Sequence, residues 1–415
     1  MRYLITAPAP ARRIADGKFA LESAYVQHIR DLKRLLGPRF TEIILAMPAM
    51  SEDDYRKQCQ GMAIVDEAAE GIRLVNPYRD GCTKLEFLLN MPRILRQIWQ
   101  LTKLSDVIHS NFCYDLYRPM GGWFCLFGKM QKKRVLAIED IDHRNDAEMN
   151  LRMGRWSRRT YLMCKYIYDP IRELCYHGYT HLVDLMLYKE MRQVKDYGKG
   201  APHVKFFLDP NFGAEHVVDD AFVQRKLRSL EDKSRPLRVM YFGRLVPYKG
   251  VDKMIEAVAL ARGRGANITL DIMGTGEQRE ALELLVKQLG IAEIVSWIAP
   301  RPYGPEFFAA LHERDILLAC PLSGDTPRSA WDALASAMPL VAFDTPFYCS
   351  MREYSKAVDV TPWPEVEPLA QRLVELARDK TLLAPSVVQA VRTARENTGE
   401  HWMQRRNAWV QELCS

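Results

Sequence analysis

Short apolar runs, each closed by a glycine or a polar loop and followed by an amphipathic stretch, recur along the second half of the chain. Leu237–Phe242 is one such run, ended by Gly243; its length and flanks predict a buried strand. Val251, Ile255, Val258 and Ala259 then fall on one helical face. The alternation continues with strands at 268–273, 294–297, 315–319 and 339–343 and helices at 277–289, 305–313 and 329–337. Strands joined by helices of these lengths predict a parallel sheet with crossovers, hence a doubly wound α/β domain.

The first half carries the same signal less regularly. Strands are predicted at 3–6, 42–46, 71–75, 106–110 and 134–138, and helices at 22–36 and 85–101. Segment 155–192 is aromatic and basic and is predicted helical. The expected organisation is an N-terminal Rossmann-like domain over 1–205 and a linker over 206–236, where 208–213 and 231–236 interrupt periodicity. A second Rossmann-like domain follows over 237–395. A C-terminal helix over 396–415 is expected to pack back toward the first domain. Open parallel sheets bind ligands at the carboxyl ends of their strands. If those ends face each other, the cleft between the domains is the site.

Composition narrows the classes. A hydrophobic fraction of 48% with 27% charged residues is that of a globular protein, not a disordered, collagenous or coiled-coil chain. No charge-free stretch approaches the roughly 20 residues of a spanning helix. The first residues read as a strand rather than a signal peptide. Of the nine cysteines, including Cys113, none forms a C-x-x-C pair, which points to reduced thiols and a cytoplasmic protein. No Cys or His spacing suits a metal site. The net charge of +6 comes from the N-terminal half, above all 151–200. That excess suits an anionic membrane surface, an anionic substrate or nucleic acid.

Chemistry concentrates in the loops after strands. After 237–242 come Gly243, Arg244, Lys249 and Gly250. Arg244 is a fork for two phosphate oxygens, Lys249 is a mobile point charge, and a helix start follows. Together they point to diphosphate binding. After 268–273 come Gly274 and Gly276, which make a tight turn or let a ligand lie against backbone. The full G-x-G-x-x-G and the phosphate loop are both absent, which argues against NAD, FAD or a P-loop ATPase. The loop from 320 carries Asp325, Thr326, Arg328, Ser329 and Asp332. Ser329 and Asp332 fit a capping box; alternatively, the Asp332 carboxylate accepts the two hydroxyls of a ribose.

These motifs, Phe-Gly-Arg-Leu with Lys-Gly, Gly-Thr-Gly-Glu, and Trp-Asp-Ala-Leu-Ala-Ser-Ala-Met-Pro-Leu-Val, resemble the C-terminal domain of the retaining GT-B glycosyltransferases of family 4 over about 236–345. The N-terminal half is similar in outline through Asp106–Ser110 and Asp209–Asn211. The resemblance implies a GT-B fold, two Rossmann-like domains facing across a cleft, and a sugar-nucleotide substrate. It implies that Arg244 and Lys249 hold the donor diphosphate, that Asp332 binds the ribose, and that the loop 295–300, with Ile298, meets the base. The family's two glutamates, separated by seven residues, are replaced: Asp332 stands for the second, and the first falls at Gly324, next to Asp325. The usual glycine-phenylalanine-glycine is Thr326 to Ser329 here. Where the family often has a histidine, this chain has Glu139 and Asp140, expected either to orient or deprotonate the acceptor or to stand as a solvated pair at a strand end. His109 is a candidate contact to donor or acceptor, or a core residue. Arg12, Arg13 and Gly17 lie where the family has a glycine-rich stretch.

The expected activity is metal-independent hexosyl transfer, with retention, from a nucleotide sugar to a glycan or lipid-linked acceptor in polysaccharide biosynthesis, with no other cofactor. A nucleotide-sugar-binding protein without activity is the alternative. Nucleic-acid binding by 155–192 finds no recognition module, and no nucleic-acid partner is expected. The same segment is expected either to touch the inner face of an anionic membrane or to pack as an aromatic core.

Overall fold

In a computed structural model, residues 1–111 and 115–414 are described; Cys113 lies outside them. The chain divides into two compact units, Met1–Asp140 with Leu162–Phe207 and Met403–Ser415, and Ile141–Tyr161 with Leu208–Trp402.

The strands of the first unit are β1 (Arg2–Thr6), β2 (Arg12–Ala15), β3 (Lys18–Glu22), β4 (Glu42–Ala46), β5 (Met62–Asp66), β6 (Ile72–Val75), β7 (Val107–Asn111), β8 (Arg134–Glu139), β9 (Leu185–Tyr188) and β10 (Val204–Phe206). Its main sheet has the order β10-β9-β8-β7-β1-β4-β6, parallel throughout. Leu4, Ile44, Ile108, Val135 and Met186 are buried in its core, as strands covered on both faces require. β2, β3 and β5 form a small antiparallel sheet that the hydrophobic pattern did not announce. Helix Lys84–Leu104 opens with Thr83 capping the Glu86 N–H at 3.1 Å. The last helix, Gly399–Cys414, is tied to this unit by Arg406, which lies 3.1 Å from His28.

Segment 155–192 departs from expectation. It is helical over 158–182, widening to a π turn at Cys164–Tyr168. The buried run Leu-Met-Leu-Tyr then forms β9 rather than more helix. Four successive residues without exposed positions suit a central parallel strand and not an amphipathic helix.

The second unit contains β11 (Leu237–Phe242), β12 (Ile268–Met273), β13 (Val295–Ile298), β14 (Ile316–Ala319), β15 (Leu340–Phe343) and β16 (Val358–Thr361). Its sheet has the order β13-β12-β11-β14-β15-β16, again parallel. β16 extends the series beyond 343. The expected linker contains helix Asp220–Leu230, capped by Asp219 and packed into this unit's core through Val223 and Leu230. Residues 141–161 also belong here and not to the first unit. Met149 enters the core, and the Arg152 guanidinium stands 5.0 Å from the Trp363 ring centroid.

Candidate functional site

Three loops at the carboxyl edge of the second sheet are fastened to one another by backbone. Gly243 N–H donates to Met273 O at 3.0 Å, Leu245 N–H to Thr275 O at 2.8 Å, and Leu322 N–H to Tyr248 O at 2.7 Å. Glycine makes the approach possible. A Cβ on Gly250 would stand 2.0 Å from Cys320 O, and one on Gly274 would stand 2.0 Å from Gly243 O. On Gly276 it would stand 2.2 Å from Leu245 O. Any larger residue must push these loops apart.

On this frame sit the cations. Lys249 Nζ is 2.5 Å from Asp325 Oδ2, and both side chains are largely sheltered. Arg244 is exposed; its guanidinium donates to the Tyr248 hydroxyl at 2.6 Å. Tyr241 fixes the turn by donating to Arg244 O at 2.8 Å. Arg328 is exposed and lies 3.3 Å from Asp209. Thr326 is half-buried in the same loop, and Ile298 is half-buried at the end of β13.

Asp332 is 5% exposed, on helix Ser329–Ala335. The capping box is absent. Arg328, not Ser329, is the N-cap, and no side chain caps that helix. Asp332 instead accepts a hydrogen bond from the Tyr303 hydroxyl at 2.8 Å. Burial pushes its carboxyl up to about 7, against the opposing pull of that hydrogen bond and of Arg328. Burial and the neighbouring carboxylate likewise raise the Tyr303 phenol. Tyr303 was not singled out from the sequence. It stands in a loop with no motif, and only the fold carries it to Asp332.

A second residue escaped notice in the same way. Asp146 reaches loop 320–328 from segment 141–161. A Cβ on Gly324 would stand 3.0 Å from Asp146 Oδ1. Asp146 Oδ2 is 2.7 Å from His143 Nδ1. Oδ1 is buried with no hydrogen-bond partner among the described residues.

The remaining candidates lie in the first unit. Glu139 ends β8 and is buried, while the exposed Asp140 pairs with Lys189 at 3.0 Å. His109 is inside the core, with Tyr3 Oη 3.3 Å from its Nδ1. Burial holds it well below the usual histidine range, with Arg406 and His28 adding to the effect, so it is a neutral packed imidazole. Arg12 and Arg13 pair with Glu52 and Glu67. A pocket of about 90 Å³ lies at the ends of β1 and β7, lined by Thr6, Tyr78, Asp80, Asn111, Asp115 and Arg118. Among the described residues, no group of three His, Cys, Asp or Glu is placed to hold a metal ion.

The model of the family described as glycosyl transferases group 1 matches residues 223–392. An uncharacterized glycosyltransferase of Haemophilus influenzae is 30% identical over 122 residues, which are 29% of this chain and 32% of that protein. The chain thus spans about a third of that relative's length. Among solved structures, Anabaena HepE in complex with UDP is similar over 99% of this chain and 100% of its own, with a TM-score of 0.62 at 14% identity. WaaG, a glycosyltransferase involved in lipopolysaccharide biosynthesis, is similar over 98% of each chain, with a TM-score of 0.59 at 12% identity. The fold of this chain is therefore that of the GT-B proteins, and its residues 223–392 match the group 1 glycosyltransferase family.

Proposed function

We propose that the protein transfers a hexose from a nucleotide sugar to a hydroxyl acceptor with retention of configuration and without a metal ion. The observation that carries this reading is the sheltered Lys249 beside Arg244 on loops locked by glycine contacts. The bond between sugar C1 and the diphosphate oxygen breaks, and its electron pair leaves with the diphosphate. Arg244 and Lys249 meet that charge where it develops. The acceptor oxygen bonds to C1 on the same face, and its proton passes to the carboxylate of Glu139 or Asp140. Asp332 receives the ribose hydroxyls once the Tyr303 hydroxyl releases its carboxylate, and the backbone near Ile298 meets the base. Arg328, Thr326 and Ser329 border the same loop. Titration calorimetry with UDP-, GDP- and dTDP-hexoses identifies the donor. Lys249→Ala is expected to slow its turnover about 100-fold or more, and Arg244→Ala to slow it as well. Near-wild-type turnover in both overturns the reading.

The inactive alternative draws on the Lys249–Asp325 pair, which a diphosphate must compete with. Tight donor binding without hydrolysis or transfer to any acceptor is its signature.

The acceptor belongs to the same proposal: a glycan or lipid-linked saccharide, with the protein resting on an anionic membrane surface. Among the described residues no helix is long and apolar enough to cross a membrane, but the first unit exposes an apolar face. Leu85, Leu88 and Leu89 are exposed on the first turns of helix Lys84–Leu104, and Leu162, Tyr166, Ile167, Ile171 and Leu174 on the run 158–182. Tyr117 joins the two: Lys84 Nζ is 3.4 Å from its ring centroid, and Tyr168 is 5.5 Å away. Exposed Lys84, Arg93 and Lys165 give the face a basic character, which suits anionic headgroups. The full chain is expected to float with phosphatidylcholine–phosphatidylglycerol vesicles and not with phosphatidylcholine alone. The double variant Leu89→Glu/Leu174→Glu is expected to stay behind. Equal flotation of the variant, or a self-associated chain that the variant dissolves, overturns the membrane.

A further inference from the structure

We infer that Asp146 is a catalytic residue, the carboxylate that faces the donor sugar beside loop 320–328. This deepens the transfer reading above and rests on it. The resemblance sets a glutamate at the position of Gly324, and the loop looks at first as if it has lost a charge. The geometry supplies one from elsewhere. A Cβ on Gly324 would stand 3.0 Å from Asp146 Oδ1 and 3.2 Å from Ile141 Cγ2. A side chain at 324 and the Asp146 carboxylate therefore compete for one space. Gly324 is not among the glycines of positive φ, so its backbone conformation is not what requires glycine. The room it leaves is what Asp146 occupies.

The two carboxylate oxygens are in unlike states. Oδ2 is 2.7 Å from His143 Nδ1, which fixes the direction of the group. Oδ1 is buried and has no partner among the described residues. Buried acceptors are nearly always satisfied, and one that is not calls for an explanation. A hydroxyl of a bound sugar is a donor that completes it. The position is apt, because Gly324 precedes Asp325, whose carboxylate holds Lys249 at 2.5 Å. The unpartnered oxygen thus borders the loop where the diphosphate is proposed to leave. There it accepts a sugar hydroxyl and opposes the positive charge that grows at C1 as the bond to the diphosphate breaks. Asp146 forms no bond to carbon and takes no proton.

The test is steady-state kinetics of Asp146→Asn with the sugar nucleotide that wild-type protein binds best in the panel above, with nucleoside diphosphate affinity by calorimetry alongside. The expected result is a fall in kcat of about 100-fold with unchanged diphosphate affinity, since Arg244, Lys249 and Asp332 remain. Asp146→Ala is expected to be equally slow, and adding Gly324→Glu to it is expected to recover turnover. Gly324→Glu alone is expected to lower the rate by crowding Asp146. A kcat of Asp146→Asn close to wild type overturns the inference and leaves the transfer reading standing. So does a loss of diphosphate affinity equal to the loss of rate, which marks a residue needed only to form the site. No binding of wild-type protein to any donor overturns the transfer reading, and this inference with it.

Discussion

The carboxyl edges of the two sheets share backbone fastening between loops and differ in how far it extends. In the second unit, the loops after β11, β12 and β14 touch backbone to backbone, and Gly250, Gly274 and Gly276 admit the contact. In the first unit, the loops after β1, β4 and β6 are likewise joined backbone to backbone, Ala11 N–H to Pro48 O at 2.9 Å and Ala49 N–H to Tyr78 O at 2.8 Å, but beyond β7 and β8 side chains do the holding. Arg118 Nε donates to Asp115 at 2.9 Å, Lys189 pairs with Asp140 at 3.0 Å, and the Ser110 hydroxyl donates to Gly121 O at 3.0 Å. Gly121 is the close backbone approach there, against Asn111 O. A backbone-locked edge resists substitution and presents the same donors and charges whatever its surface residues become. The part of an edge built from side chains is re-cut by single substitutions without moving the sheet. The first suits a ligand part common to all nucleotide sugars, and the second a partner that varies.

The largest effect is expected from breaking the backbone lock. Gly274→Ala sets a methyl 2.0 Å from Gly243 O. Neither atom is the end of a flexible chain, so the strand-end loops must separate. Overpacking of this kind costs about 3 kcal/mol. Thermal unfolding is expected to show a fall of roughly 5–10 °C in the transition of the second unit, with loss of nucleoside diphosphate binding. An unchanged melting curve would mean that the loops are not locked, and the contrast between the edges would fail.

A smaller effect, with a sign set by pH, sharpens the same contrast. Asp332 has its carboxyl raised to about 7 by burial. A raised acid is favoured in the protonated form when folded. Its penalty is absent below the unfolded value near 4 and complete once pH exceeds about 7. Asp332→Asn keeps an acceptor for Tyr303 and removes the charge. It is expected to be more stable than wild type near pH 8, with the gap narrowing toward pH 5. Melting temperatures measured across that interval check it; a gap independent of pH would show that the carboxyl is not held in its acid form.

What could be read from the sequence follows the same division. Strands buried on both faces are continuous apolar runs, so β11 to β15 stood out, as did the loops at their ends. Lys249, Asp325 and Asp332 were visible because each lies within a few residues of a strand or helix boundary. β9 did not stand out, since it follows a helix after a two-residue break and its apolar run reads equally well as more helix. β2 is exposed along Arg13–Ala15 and carries two arginines, so it has no apolar signature at all. Tyr303 and Asp146 acquire their roles from contacts with Asp332 and Gly324, across stretches of chain that no local pattern connects.

The smallest effect tests the contrast from its other side. Gly178 lies on helix Asp169–Leu182 in the first unit, is exposed, and has nothing within 4 Å of an added Cβ. It is also absent from the residues of positive φ. Glycine there leaves the unfolded chain freer than alanine would and gives the helix nothing in return. Gly178→Ala is therefore expected to stabilise the first unit by about 0.5–1 kcal/mol, raising its melting temperature by a few degrees at most and leaving nucleoside diphosphate affinity as it was. The same chemical change, one methyl on a glycine, thus acts with opposite sign at Gly274 and at Gly178. Destabilisation by Gly178→Ala would mean that this helix position needs glycine despite its open surroundings, and the contrast with Gly274 would fail.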